Sequence, residues 1–447
     1  MRRLPRNRAA VRGTLATAVA GLVASATLTA PAAHADQVTP GNFTGYAFDQ
    51  CLTPTQAKMD AWMEHSPFAG VGIYISGDSR ACRSQPNLTA TWVKKQIANG
   101  WKLLPITLGP QANCLSRFPR YKDDKVIAAS SANTYAAARK QARAEAAKAV
   151  AAAQKLGIDA GSTLWYDLEG FDSTKKVCRE SAMWFLSDYN KTIKSLGYVS
   201  GVYSSAGSGI KLLDDARVKE PGKYTLPDRL WVARWDGVAN LESPGYLRTD
   251  GWMPHGRVKQ YRGGHNETWG GVTINIDSNF MSLGKGSTGT PGGVMCKERV
   301  QANLSRYPVV RVNANSGTVK ALQCLLRKAG HYRGPVSGRF DNTTLQAANA
   351  FQRRNGFNTV SGFTRKQWTS LLSIGNNPTI KRGSAGVAVR KLQRTLTAAT
   401  GRPMTYTGVF DAGTEQQVKA WQKQVGLPQS GVVNKAAWRL LQQGKIR

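Results

Sequence analysis

Eight short strand-like runs, interleaved with helix-like stretches, constrain this chain more than any other feature. They are Gly45–Asp49, Gly70–Ser76, Trp101–Gly109, Ser162–Glu169, Tyr198–Ser205, Arg229–Trp235, Arg257–Tyr261 and Thr273–Phe280. Several are nearly continuous apolar runs, the pattern of a parallel sheet covered by helices on its outer face. Thr53–His65 opens on Thr-Pro, a cap and first-turn signal. Thr89–Asn99 stops before Gly100, the Ala-rich Asn133–Leu156 before Gly157, and Cys178–Leu196 before Gly197. The last three connections carry weaker helix signals. Eight strands alternating with helices over about 240 residues predict an α/β fold, a (β/α)8 TIM-like barrel.

Trp165-Tyr166-Asp167-Leu168-Glu169-Gly170 closes the fourth run with two carboxylates spaced i, i+2. Side chains alternate along a strand, so Asp167 and Glu169 leave on one face while Leu164, Tyr166 and Leu168 pack on the other. Paired carboxylates at a strand end are the raw material of glycoside hydrolysis, where one acts as an acid while its neighbour handles charge. Their Cα spacing, about 6.6 Å from the strand rise, lies between the usual retaining and inverting separations and leaves the stereochemistry open. Asp49, Asp167, Glu169 and Asp277 all fall at or near C-terminal strand ends, the rim where barrel active sites assemble. Strands one and eight meet when a barrel closes, which sets Asp49 beside Asp277, with Glu169 facing them across the mouth. Like-charged neighbours raise a carboxyl pKa, as a general acid at Glu169 requires. Tyr74, Tyr203 and Trp235 are candidates to stack on sugars.

The N-terminus reads as an address. Met1 to Arg12 carries five arginines and no acid, an apolar stretch follows, and Ala33-His34-Ala35 supplies an A-x-A site. A signal peptide over 1–35 is expected, by either general or twin-arginine export. No later apolar run approaches the roughly 18 residues that a span needs, so a secreted monomer with no membrane segment is expected. The formal net charge is +34, and such a surface seeks polyanions. Recognition-helix, zinc-finger and ribonucleoprotein motifs are missing from the sequence, which disfavours a specific nucleic-acid partner and leaves anionic wall polymers. Six cysteines suit an oxidising compartment. Strand order pairs Cys51 with Cys82 and Cys114 with Cys178, in adjacent loops at one barrel end, and leaves Cys296 for Cys324. Their spacing matches no zinc site and the histidines form no H-E-x-x-H, so neither metal nor cofactor is expected. With all cysteines partnered and no G-x-S-x-G elbow, a Cys or Ser nucleophile is disfavoured.

Ser287–Gly293 is a linker signal, and beyond it lies an internal repeat with an offset of 70. Leu322-Gln323 matches Leu392-Gln393, Phe340-Asp341 matches Phe410-Asp411, Phe351-Gln352 matches Trp421-Gln422, and Trp368 matches Trp438. Each unit reads as helix, turn, helix, turn, short helix. Phe351, Trp368, Trp421 and Trp438 read chiefly as core fillers of these small units. The expected boundaries are 36–282 for the barrel, 283–295 and 374–380 for linkers, and 296–373 and 381–447 for the repeats. A chain cut after Lys285 is expected to leave a folded barrel that binds a polymer less tightly, since tandem copies supply avidity.

The repeats resemble the three-helix peptidoglycan-binding domain family. The resemblance rests on Val319–Gln323, Ser337–Asp341, Ala347–Gln352 and Gly362–Trp368, and in the second copy on Val389–Gln393, Thr407–Asp411, Gln417–Gln422 and Gly431–Trp438. The N-terminal part resembles a secreted bacterial glycoside-hydrolase-like family known as domain of unknown function 1906. The residues that carry this are Gly45–Cys51, Val71–Ser76, Asn87–Trp92, Tyr166–Phe171, Gly201–Ser205 and Leu230–Trp235. More distantly it is similar to family 25 lysozymes, which also have a Gln-Tyr strand, here Gln260-Tyr261, and an Asp on strand eight. The resemblance implies Glu169 as general acid, with Asp49, Asp167 and Asp277 in support and Gln260 at the substrate. It implies a muramidase-like hydrolase acting on peptidoglycan or another cell-wall glycan. The competing expectation is a non-catalytic barrel that grips the same glycan.

Overall fold

The structure is a computed structural model that describes residues 37–115, 123–289 and 292–446. The leader expected over 1–35 lies outside the described residues. Eight strands close a barrel in sequence order. The first five are β1 (Phe43–Asp49), β2 (Phe68–Ser76), β3 (Lys102–Thr107), β4 (Thr163–Asp167) and β5 (Val199–Ser205). The last three are β6 (Arg229–Ala233), β7 (Gly256–Trp269) and β8 (Val272–Leu283). Helices α1 (Gln56–His65), α2 (Ala90–Ala98), α3 (Ala132–Lys155), α4 (Lys176–Ser195) and α5 (Lys211–Lys219) follow the first five strands in turn. The apolar pattern divides by face as strand alternation requires. Leu164, Tyr166 and Leu168 pack toward the helices, while Trp165 points into the barrel with Trp231, Leu104 and Met281.

Two sequence expectations change. Strands β1 to β7 run parallel, but β8 runs antiparallel to both β7 and β1. The cause is the Gly270-Gly271 turn, in which both residues have positive φ, +59° and +77°. A two-residue turn of that kind makes a hairpin, whereas a parallel return needs a long crossover. No helix separates β6 from β7 or β7 from β8. The hairpin instead packs on α1, where Trp62 Nε1 donates to the Val272 carbonyl at 3.0 Å. The second change is the cap of α1. Thr55, not Thr53, accepts from the Lys58 amide. Thr53 is engaged elsewhere, its amide donating to Gln85 Oε1 and its carbonyl accepting from Asn87 Nδ2, both at 2.9 Å.

The disulfides are Cys51–Cys82, Cys114–Cys178 and Cys296–Cys324, the pairs expected from strand order. The first joins the loops after β1 and β2, and the second joins the loop after β3 to the first turn of α4, at the end that carries the carboxylates.

The repeats are α6 (Gly317–Lys328), α7 (Asn342–Arg354) and α8 (Arg365–Leu372), then α9 (Val387–Thr400), α10 (Ala412–Gln424) and α11 (Lys435–Gln442). The repeated residues have matching tasks. Asp341 and Asp411 cap α7 and α10, accepting from Thr344 and Thr414 amides at 2.8 Å. Gln323 and Gln393 clip the preceding turn, accepting from the Gly338 and Gly408 amides at 2.9 and 3.0 Å. Phe351 and Trp368 fill one core, and Trp421 and Trp438 fill the other.

The second repeat is seated on the barrel floor, the end opposite the carboxylates. Lys381 is 3% exposed. Its Nζ donates to the main-chain carbonyls of Ser66 at 2.8 Å, Phe68 at 2.9 Å and Trp62 at 3.4 Å. Gly383 lies against the Phe43 ring so closely that a Cβ would come within 2.3 Å of it. Thr379 donates to Glu64 and Tyr46 to Glu415 across the same seam. The linker begins inside this contact, with Ser287 Oγ donating to the Gly383 carbonyl at 2.7 Å. A cut after Lys285 would therefore strip the floor of its cover.

Candidate functional site

Asp49 ends β1, and β8 presents Asp277 directly opposite it in register. Asp277 thus reaches the mouth from the middle of an antiparallel strand rather than from a strand end. β4 stops at Asp167, and Glu169 stands two residues beyond, held by its chain direction. Tyr203 O still receives the Leu168 amide at 3.0 Å, so the β-like path continues past the last strand residue. All eight candidate residues line one cavity of about 360 Å³: Asp49, Asp167, Glu169, Asp277, Tyr74, Tyr203, Trp235 and Gln260. A second cavity of about 190 Å³ shares Asp49, Tyr74, Glu169 and Asp277 with it and extends toward Arg80 and the Cys51–Cys82 bridge. Together they make a cleft that crosses the barrel mouth.

Gln260 is the hub. Its Nε2 donates to Asp49 Oδ2 at 3.2 Å and Asp277 Oδ2 at 3.1 Å. Its Oε1 accepts from Tyr203 Oη at 3.1 Å and Trp235 Nε1 at 2.9 Å. One side chain thereby fixes two carboxylates and two aromatic rings. Trp235 remains 58% exposed, and its ring lies over Gly263, where a Cβ would approach within 2.3 Å. Burial and the surrounding carboxylates hold the Tyr74 and Tyr203 phenols well above their ordinary pKa, so both stay protonated donors. Tyr74 Oη lies 3.5 Å from Asp167 Oδ2.

Asp49 is fully buried beside Asp277. Burial first, then the neighbouring carboxylate, push its pKa up to about 8, against hydrogen bonds from Asn279 and Gln260. Burial also raises Asp277, offset by the Gly264 amide. Two adjacent buried carboxylates cannot both ionise cheaply, so the pair favours a protonated Asp49. An acid whose folded pKa exceeds its unfolded value contributes stability that is full below the unfolded pKa and lost as pH rises through the folded one. Between 3.8 and about 8, the site's contribution therefore falls with rising pH. Thermal melts across that window should show wild type losing stability relative to Asp49→Asn as pH increases. A constant difference between the two would contradict the raised pKa of Asp49.

Three contributors were not singled out from the sequence. Asn279 donates to Asp49 Oδ2 at 2.7 Å and accepts from Trp231 Nε1 at 2.7 Å, linking the pair to the barrel interior. Its place two residues after Asp277 on an alternating strand was the available signal. Arg80 lines the second cavity and is held by the Gly77 and Tyr74 carbonyls at 2.8 and 3.2 Å. Gln111, 1% exposed, clamps the end of β4. Its Nε2 donates to the Asp167 carbonyl at 2.8 Å, and its Oε1 accepts from the Glu169 amide at 2.8 Å. Gln111→Ala should lower kcat about tenfold with little change in KM if Glu169 must be positioned. A rise in KM alone would assign Gln111 to substrate binding. No group of three or more His, Cys, Asp or Glu suited to a metal ion occurs among the described residues.

The barrel is a glycoside hydrolase-like domain, and the chain carries it together with two peptidoglycan-binding domains. Residues 60–281 match the model of the Rv2525c-like, glycoside hydrolase-like domain family. Residues 315–363 and 385–441 each match the putative peptidoglycan binding domain. Among solved structures, the chain is similar to the Tat-secreted protein Rv2525c of Mycobacterium tuberculosis, at 12% identity over 54% of this chain and 98% of that one, TM-score 0.36. It is similar to the modular autolysin LytC of Streptococcus pneumoniae, at 15% identity over 53% and 46%, TM-score 0.33. It is also similar to the catalytic domain of endolysin ply40 from Listeria monocytogenes bacteriophage P40, at 15% identity over 54% and 94%, TM-score 0.32. No curated protein matches this chain.

Proposed function

We propose that the protein is an exported, wall-bound glycosidase that hydrolyses peptidoglycan glycan in a muramidase-like reaction. The observation that carries this reading is the convergence of Glu169, Asp167, Asp49 and Asp277 with Tyr74, Tyr203 and exposed Trp235 on one cleft. Glu169 gives its proton to the leaving glycosidic oxygen. Asp167 supports the positive charge that develops at the anomeric carbon, and water bonds to that carbon as its proton returns to the Glu169 carboxylate. Gln260 donates to both Asp49 and Asp277 and Asn279 donates to Asp49, while burial favours the protonated form of Asp49, which limits the total negative charge beside the acid. Trp235 offers a flat apolar face to a sugar ring. The two repeats keep the enzyme on its insoluble polymer by avidity. Three disulfides fit an oxidising location outside the cell. No helix among the described residues is long and apolar enough to cross a membrane. The test is hydrolysis of purified peptidoglycan, followed as new reducing ends, with sedimentation of the protein on the same polymer as the binding control.

A further inference from the structure

The cavity of about 190 Å³ beside the carboxylate cleft carries groups of both charges. Asp49, Glu169 and Asp277 line the part it shares with the cleft. Beyond them, next to the Cys51–Cys82 bridge, it is lined by Arg80 and Gln50. The hydrolytic steps at Glu169 and Asp167 use neither residue.

Both donors are held by the loops that carry them. Gln50 directly precedes Cys51 and Arg80 shortly precedes Cys82, so the disulfide ties their loops together. Gln85 Nε2 spans the same bridge, donating to the Cys51 and Cys82 carbonyls at 2.7 and 3.1 Å. The Ser79 amide pins the Arg80 loop by donating to the Leu108 carbonyl at 3.0 Å. Arg80 Nε and Nη1 donate to the Gly77 and Tyr74 carbonyls at 2.8 and 3.2 Å, which orients the guanidinium and leaves its Nη2 uncommitted. Arg80 forms no ion pair among the described residues: Asp78 lies 3.8 Å from Lys148, and Arg83 holds Asp124 at 2.5 Å. Burial lowers the Arg80 pKa, so this cation is partly stripped of water. Gln50 Nε2 is buried with no hydrogen-bond partner among the described residues. Desolvated donors without an acceptor cost free energy, which an anionic ligand would recover.

We propose that this cavity is a subsite for a single free carboxylate carried by a sugar bound in the cleft. It rests on the glycosidase reading for the sugar, though not on turnover. The carboxylate accepts from Arg80 Nη2 and from Gln50 Nε2. A planar carboxylate suits a guanidinium edge, whereas a phosphate would bring a second charge beside Glu169 and Asp277. A carboxyl group tied up as an amide has no charge to offer Arg80. Glycan with free carboxylates is therefore preferred over glycan whose carboxylates are linked to peptides. Amide hydrolysis, in which water yields the carboxylate and a free amine, is the class of reaction that supplies such a substrate.

The test uses the full chain carrying Glu169→Gln, so that the probe is not consumed. The probe is the disaccharide N-acetylglucosaminyl-N-acetylmuramic acid, titrated by calorimetry as the free acid and as its methyl amide. The acid should bind about tenfold or more tightly than the amide, the worth of one charge-assisted hydrogen bond. Arg80→Gln should erase that difference by weakening the acid alone. Because Arg80 also braces two carbonyls, Gln50→Glu is a second variant that leaves those bonds intact. It sets a like charge against the carboxylate and should likewise weaken only the acid. Equal affinity for acid and amide, no binding of either, or an acid preference that survives in both variants would overturn the proposal. So would a loss shared equally by the two probes in both variants. An acid preference together with no release of reducing ends by wild type would remove the hydrolase reading and leave the subsite standing.

Discussion

Glu169→Gln should lower the release of reducing ends from peptidoglycan by about 10²-fold or more while leaving sedimentation with the polymer unchanged. The substitution keeps the shape of the side chain and its main-chain anchor on Gln111 but removes the transferable proton. Asp167→Asn should also slow the reaction, by less if its task is electrostatic. Asp172 is a useful control. It lies three residues from Glu169, yet its carboxylate accepts from the Thr174 amide and hydroxyl and does not line the cleft. Asp172→Asn should therefore leave the rate within twofold. Circular dichroism of each variant separates lost chemistry from lost fold. Equal rates in wild type and Glu169→Gln would remove Glu169 as the acid.

The second large effect is expected far from the cleft. Lys381→Ala removes the donor shared by the Ser66, Phe68 and Trp62 carbonyls at the barrel floor. The Trp62 carbonyl keeps the Ser66 amide and hydroxyl as donors, but loss of the lysine contact at the Ser66 and Phe68 carbonyls costs about 3 kcal/mol in total on the docking of the second repeat. Wild type should melt with barrel and second repeat in one transition. The variant should show an earlier transition for the repeat, together with easier proteolysis between the two. Gly383→Val attacks the same seam by sterics, since its Cβ would collide with Phe43 and its φ of +93° disfavours a branched residue. If both variants melt like wild type, the docked arrangement does not stabilise the protein in solution.

Legibility in the sequence followed the range of each signal. Strand and helix periods are local, so the barrel could be read from runs such as Leu164–Asp167 and from glycine stops at Gly100, Gly157 and Gly197. The meeting of Asp49 with Asp277 followed from barrel closure alone, and closure also sorted the cysteines. The antiparallel direction of β8 departs from the parallel sheet that its alternation with helix-like runs predicts, although Trp269-Gly270-Gly271-Val272 carries a hairpin signal. Gln111 and Lys381 had no comparable signal. A buried glutamine that clamps a strand end looks like any polar loop residue. A lysine in a chain of net charge +34 reads as solvated surface until the fold brings three carbonyls to it. The raised pKa of Asp49 was similarly invisible, since burial rather than sequence spacing is its largest cause.

The central claim is that the barrel cleaves glycan rather than merely gripping it. The most direct measurement is the time course of reducing ends released from purified peptidoglycan by the full-length protein, with the bound fraction measured in parallel. Wild type should release reducing ends steadily, at least about 10²-fold faster than Glu169→Gln at equal binding. Full binding with no release by wild type would contradict it and would make the barrel a glycan-binding domain.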